Sequence, residues 1–237
     1  MKNSEILARL DLGKSVAEND TNLSSYFVPT VALSDFLDDR FDIIRGVKGS
    51  GKSALLRVVS GQQSEYAQLT DVLLHVATEH AGEPAFKRAF DQIKTDAYVE
   101  KELVSAWKTY LLNLALDELE KINSPECKEA ISFAQKSGIR FKTTSNYKKI
   151  VWSLLRFLHV EKFSVGLDGL MAEFPDAPPD IWTRNDAAVD FTEALALCVK
   201  ALEMIDKRCW VLVDRLDAVF QDEPKLEAVA LKSLLYA

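Results

Sequence analysis

Three short apolar runs constrain this chain more than any other feature. They are Phe41-Asp42-Ile43-Ile44-Arg45, Val72-Leu73-Leu74-His75-Val76 and Cys209-Trp210-Val211-Leu212-Val213, the first ending at Gly46 and the last at Asp214. Each is too short for an independent helix and carries β-branched residues, so each predicts a buried strand. Helical spacing fills the chain between them. A helix is expected to start near Gly51 and stop around Ser60-Gly61, with Gly61 as a left-handed cap. Leu103, Trp107, Tyr110, Leu111 and Leu114 predict a helix over 97–122, and Ser124-Pro125 an N-cap opening another toward Gly138. Tyr147, Val151, Leu154, Leu155 and Leu158 mark a third, and residues 164–184, with Pro175, Pro178 and Pro179, read as irregular. Phe191, Ala194, Leu195, Cys198, Leu202 and Ile205 mark a helix over 185–207, and residues from Glu223 onward are helical again. Before the first strand, residues 26–30 read as extended because Pro29 restricts what precedes it, and a short helix follows through 33–37. Strands alternating with helices predict an α/β fold with a parallel sheet flanked by helices.

Composition excludes several classes. Of 237 residues, 48% are apolar and 27% charged, ordinary for a globular protein and incompatible with disorder throughout. No apolar run reaches the roughly 18 residues of a membrane span, and the N-terminus lacks the apolar core and cleavage site of a signal peptide. A cytoplasmic location is expected. The net charge of −7 argues against a surface that coats nucleic acid as a whole. Cys127, Cys198 and Cys209 have no metal-ligand spacing and read as reduced structural thiols. His75 reads as buried in a strand, and His80 and His159 have no Cys or His partners at zinc-ligand spacing.

Chemistry concentrates after the first run. Gly46-Val47-Lys48-Gly49-Ser50-Gly51-Lys52-Ser53, followed by Ala54, fits G-x-x-x-x-G-K-[ST], the P-loop or Walker A pattern. The glycines let the backbone curl so that its N–H groups point at phosphate oxygens, and the following helix presents its positive end to the same anion. Lys52 is placed to reach the β- and γ-phosphates, and Ser53 offers a hydroxyl to Mg²⁺. A chance match in a chain of this length has odds of about one in a hundred. A second G-K-S, Gly13-Lys14-Ser15, has alanine at position 8 and no strand before it, so it reads as a turn. A magnesium site needs a carboxylate from another strand. Asp214, delivered by the third apolar run, is the candidate Walker B residue, and Asp217 could polarise the attacking water, hold the metal's outer shell, or merely cap a helix.

With these motifs in place, the chain resembles a bacterial family of P-loop ATPases allied to the STAND and AAA+ NTPases. The residues that carry the likeness run from Gly13 to Asp20, from Tyr26 to Thr30, from Arg45 to Leu55, and through Leu212-Val213-Asp214-Arg215-Leu216-Asp217. The resemblance implies ATP and Mg²⁺ as ligands, a setting in bacterial conflict and phage defence, and a place near the adenine for residues 26–30, Tyr26 and Phe27 among them. The D-x-x-D arrangement resembles the STAND form of Walker B. AAA+ proteins usually carry Glu directly after the Asp; Arg215 stands there, so hydrolysis would need Asp217 or a residue in trans.

The expected organisation is an N-terminal arm and adenine-proximal segment over 1–40, the first part of a P-loop core over 41–81, a helical insertion over 82–184 and the Walker B part over 185–237. Sensor strand and lid are missing, so the core is expected to continue beyond Ala237, or to be completed by a partner protein or a second copy. From Lys136 to Lys162, seven basic residues (136, 140, 142, 148, 149, 156, 162) face one acid, with Tyr147, Trp152 and Phe157 between them. That segment is either a nucleic-acid or partner patch or a solvated helix face. The expected activity is ATP hydrolysis coupled to a change of conformation or assembly; the alternatives are a non-hydrolysing nucleotide-gated scaffold and a P-loop kinase for a small molecule.

Overall fold

The computed structural model describes residues 20, 22–47, 49–77, 99–140, 191–214 and 224–237. The chain divides into two compact units, Met1–Asp71 and Val72–Ala237.

In the first unit, α1 (Leu23–Tyr26), α2 (Val31–Leu37) and α3 (Lys52–Gly61) are the helices of the described residues. Thr30 caps α2, its hydroxyl accepting from the Leu33 N–H, and Leu33 and Leu37 are buried on one face. Helix α3 buries Leu55, Val58 and Val59, the i, i+3, i+4 pattern of an amphipathic helix, and α1 packs against it. Three expectations are corrected here. Residues 41–47 are not a strand: among the described residues no ladder partner pairs with them, and Ile43 is 62% exposed. Apolar content alone does not make a strand, since the pairing of backbone groups defines one. Gly61 lies inside α3, and the cap is Gln62 at φ −118°, so no left-handed residue ends the helix. Tyr26 closes α1, and the extended stretch starts only at Phe27 (φ −63°, ψ 123°), because a proline restricts just the residue directly before it, here Val28.

In the second unit, β1 (Val72–Val76) and β2 (Arg208–Leu212) form a two-stranded parallel sheet in the register Val72↔Arg208 to Val76↔Leu212. The ladder ends with the Ala77 N–H donating to the Leu212 carbonyl at 2.8 Å. Strand β2 ends with Leu212, opposite Val76, and Val213 and Asp214 follow it. The helices are α4 (Val99–Glu120), α5 (Pro125–Lys136), α6 (Phe191–Met204) and α7 (Pro224–Leu234). The helix expected at 147–158, the irregular stretch 164–184 and residues 185–190 lie outside the described residues.

Helix α4 is the hub, packing against both strands and against α5, α6 and α7. Leu103, Ala106, Trp107, Tyr110, Leu112, Leu114, Leu116 and Leu119 are buried on it, but so are Thr109, Asn113, Asp117 and Glu118. Those polar groups must be paired, because burying a lone polar group costs about 1–3 kcal/mol and a lone charge more. The pairing comes from the turn after α5. Ser124 caps the start of that helix by accepting from the Cys127 N–H, as its Ser-Pro sequence predicts. At its far end Gly138 takes φ +71°, the left-handed conformation that glycine adopts without strain, and the chain turns back under α4. Arg140, 1% exposed, then donates to the Asn113 carbonyl at 3.1 Å and to the Asp117 and Glu120 carboxylates at 2.6 Å each. Asn113 donates in turn to the carbonyls of Thr109 and Ile139. On the sheet side, Glu118 pairs with His75 Nδ1 at 2.7 Å and with Lys121. At the other end, Trp107 Nε1 donates to the Ala230 carbonyl of α7 at 2.9 Å.

Helices α5 and α6 meet through small side chains, Cys127, Ala130 and Ala134 against Ala194, Cys198 and Ala201. The face expected for α6 is turned inward at Phe191, Ala194, Cys198, Leu202 and Ile205, with two differences: Leu195 is exposed, and Ala201 is buried as well. The three cysteines are free thiols. Burial, with smaller contributions from Cys209 and Cys127, pushes Cys198 up to about 12. Burial and the charge of Glu118 push Cys209 up to about 11. Both thiols stay protonated and unreactive at neutral pH. No helix among the described residues is long and apolar enough to cross a membrane.

Two predictions follow from the paired groups of α4. Arg140→Ala leaves the Asp117 carboxylate buried without its cation and should lower unfolding free energy by about 3–5 kcal/mol in denaturant titration. A loss under about 1 kcal/mol would show that the pairing does not hold the unit together. Glu118 is pushed up by burial, but hydrogen bonds and positive charge from His75 and Lys121 outweigh this and hold its carboxyl below the ordinary 4.5. A depressed carboxylate stabilises the fold above its unfolded value, and that stability is lost as pH falls through the folded value. The wild type should therefore lose stability as pH falls below 4.5, and Glu118→Gln should flatten that decline. An unchanged slope would contradict the pairing.

Candidate functional site

The loop at 46–53 is built from backbone conformations that only glycine takes without strain. Gly49 sits at φ +84° and Gly51 at φ +86°. The Ser50 N–H donates to the Val47 carbonyl at 3.1 Å, closing the turn between them. Gly46 matters for a different reason: a Cβ there would lie 2.3 Å from Ser50 Oγ and 3.2 Å from Ser50 Cβ, so Ser50 would have to shift. Gly51 caps α3, its carbonyl accepting from the Leu55 N–H at 2.9 Å. Lys52, Ser53 and Ala54 thus form the opening turn, where helix geometry directs N–H groups outward along the axis. Lys52 folds back over the loop, its Nζ donating to the carbonyls of Gly46 at 2.6 Å and Val47 at 3.2 Å. Gly46, Val47, Gly49, Ser50 and Gly51 are exposed, Val47 to 80%. A curled, open loop with an ammonium across it can take an anion of phosphate size.

The charge pattern agrees. Between Ile43 and Ser64 there is no acidic residue, while Arg45, Lys48, Lys52 and Arg57 are basic, in a chain of net charge −7. Motif spacing does not single out Arg45, but this acid-free window does.

The other expected site residues divide as follows. Gly46, Val47, Gly49, Ser50, Gly51, Lys52, Ser53 and Ala54 come together in the loop and first turn. Lys48 lies outside the described residues. Tyr26 and Phe27 belong to the end of α1, the helix that packs on α3. Asp214 is in the second unit, half-buried, two residues past the carboxyl end of β2. The carboxyl ends of parallel strands are where α/β sheets bind ligands. Arg215 and Asp217 lie outside the described residues.

Two weaker candidates change standing. Arg140, counted in the basic segment 136–162, is buried and committed to Asp117 and Glu120, so it is not available to a nucleic acid. Of the remaining six, Lys136 is exposed and the others lie outside the described residues. His75 has a side chain 12% exposed and is engaged by Glu118, a structural role. Among the described residues no three His, Cys, Asp or Glu side chains converge on a metal site.

No protein-family model, no curated protein and no solved structure matches this chain.

Proposed function

We propose that residues 46–53 bind the phosphates of ATP, and that the chain is a P-loop NTPase using Mg-ATP binding and hydrolysis as a conformational or assembly switch. The observation that carries this reading is the loop itself: two glycines at positive φ, a third whose Cβ would crowd Ser50, and Lys52 laid across the Gly46 and Val47 carbonyls at the head of α3. Its open side and its positive surroundings suit a multiply charged anion better than a neutral ligand.

In the proposed chemistry, water attacks the γ-phosphorus in line with the bond to the β–γ bridging oxygen, which breaks as inorganic phosphate forms. Lys52 and the loop amides hold the negative charge spread over the phosphoryl oxygens. Asp217 is assigned the polarisation of the attacking water. The Ser53 hydroxyl and the Asp214 carboxylate are the hard oxygen donors that Mg²⁺ takes, and the ion would neutralise charge between the β- and γ-phosphates. Arg215, in the place where AAA+ proteins carry a glutamate, favours a second reading: a nucleotide-gated scaffold that binds ATP and turns it over slowly or not at all. Tight binding without phosphate release would select that reading. A role in antiphage defence is proposed on family resemblance alone.

Calorimetry of Mg-ATP binding is the direct test. Lys52→Ala should abolish measurable binding while leaving the circular dichroism spectrum unchanged, since the ammonium contacts only exposed loop carbonyls; wild-type affinity in the variant would sink the phosphate-loop assignment. Asp214→Asn should weaken the dependence of binding and turnover on Mg²⁺ more than it weakens binding of the nucleotide. Unaltered metal dependence would remove Asp214 from the site.

A further inference from the structure

The proposed phosphate site contains Lys52, and the residue before its first glycine is also a cation. Arg45 is exposed, and among the described residues it makes no hydrogen bond or ion pair. That sets it apart from other described arginines. Arg40 is paired with Asp35 and Asp38, Arg140 with Asp117 and Glu120, and Arg208 lies over the Trp210 ring at 5.7 Å. The lack of a partner follows from the sequence, because the nearest acid downstream is Glu65 and the nearest upstream, Asp42, does not pair with it. An exposed arginine that neutralises nothing adds little stability to the free protein, while its place in the chain, next to Gly46, brings a guanidinium within reach of the loop. The Gly46 carbonyl that receives Lys52 Nζ belongs to the next residue, so the ammonium of Lys52 lies beside the backbone from which Arg45 extends.

We infer that Arg45 is a second phosphate-binding cation, and that the loop's ligand class is a polyphosphate whose charge exceeds what one lysine and the loop amides neutralise. This rests on the phosphate-loop reading above and extends it from the motif to a residue outside the motif. A guanidinium offers a planar pair of N–H donors that matches two phosphate oxygens, which an ammonium cannot reproduce, so the identity of the cation matters as well as its charge.

The test uses the whole chain and inorganic tripolyphosphate, competed against a fluorescent ATP analogue. Arg45→Ala should weaken tripolyphosphate binding by about tenfold or more, Arg45→Lys by less, and Arg45→Ala should flatten the dependence of affinity on salt. A melting temperature equal to wild type would accompany these losses, because the side chain is exposed. Affinity of Arg45→Ala within twofold of wild type, or a loss with an unchanged salt dependence, would overturn the inference while leaving the phosphate loop standing. Failure of the wild type to bind tripolyphosphate, or wild-type binding by Lys52→Ala, would bring down the phosphate loop and Arg45 with it.

Discussion

Helix α4 can be buried from Ala106 to Leu119 only because the polar residues it carries into the interior meet partners there. Over that span the helix, which touches a sheet and three other helices, has no exposed position on which to place Asn113, Asp117 or Glu118. One buried guanidinium resolves most of this. Arg140 reaches three groups of α4 at once, and it can do so because Gly138 turns the chain at the end of α5. The solution is imperfect: Asn113 Oδ1, Asp117 Oδ2 and Arg140 Nε have no hydrogen-bond partner among the described residues. Buried ion pairs of this kind add little net stability over an apolar replacement, yet breaking one side is costly, so they fix an arrangement more than they strengthen it. Here the arrangement fixed is the placement of α5 and of the sheet-side pair His75 and Glu118 against one helix.

The first unit follows another logic. Its loop carries no buried network, and its conformation depends on glycines that supply backbone angles rather than contacts. Such a loop is inexpensive to leave open and easy to reorganise. Lys52 spends its donors on two carbonyls of the loop, so a phosphate must compete with those hydrogen bonds, and the affinity gained is the difference between the two sets. Concentrating four basic residues in an acid-free window of an acidic chain lowers the cost of drawing a multiply charged anion to that one place.

Local features of both units were legible in the sequence. The Ser124 cap, the strand at 72–76, the strand that starts at Arg208 and the helix that opens at Lys52 each depend on neighbouring residues, and propensity and spacing read such features well. Features that depend on distant partners were not. Residues 41–45 have the composition of a strand, but a ladder needs a second backbone. Asp214 follows β2 as its apolar run indicates, although the strand stops at Leu212, opposite Val76, one residue earlier than the run. Periodicity selects the inward face of α6 at Phe191, Ala194, Cys198, Leu202 and Ile205, but Leu195, beside that face, reads as core and is exposed. The close approach of α5 then favours Ala194, Cys198 and Ala201. Arg140 reads as one of seven surface cations because charge in a sequence carries no sign of burial. Of the candidate site, the motif fixed the glycines and Lys52. The run-in charge pattern, not the motif, brings out Arg45.

The central claim is that the amides and lysine of residues 46–53 hold phosphate. The most direct measurement is an amide ¹H–¹⁵N spectrum of the whole chain titrated with Mg-ADP. Hydrogen bonding to phosphate oxygens should move the resonances of Gly49, Ser50, Gly51, Lys52 and Ser53 strongly and saturably, with the α5 and α6 amides unmoved. Saturable binding whose shifts fall elsewhere and spare Gly49 to Ser53, or no shifts at all, would contradict the account.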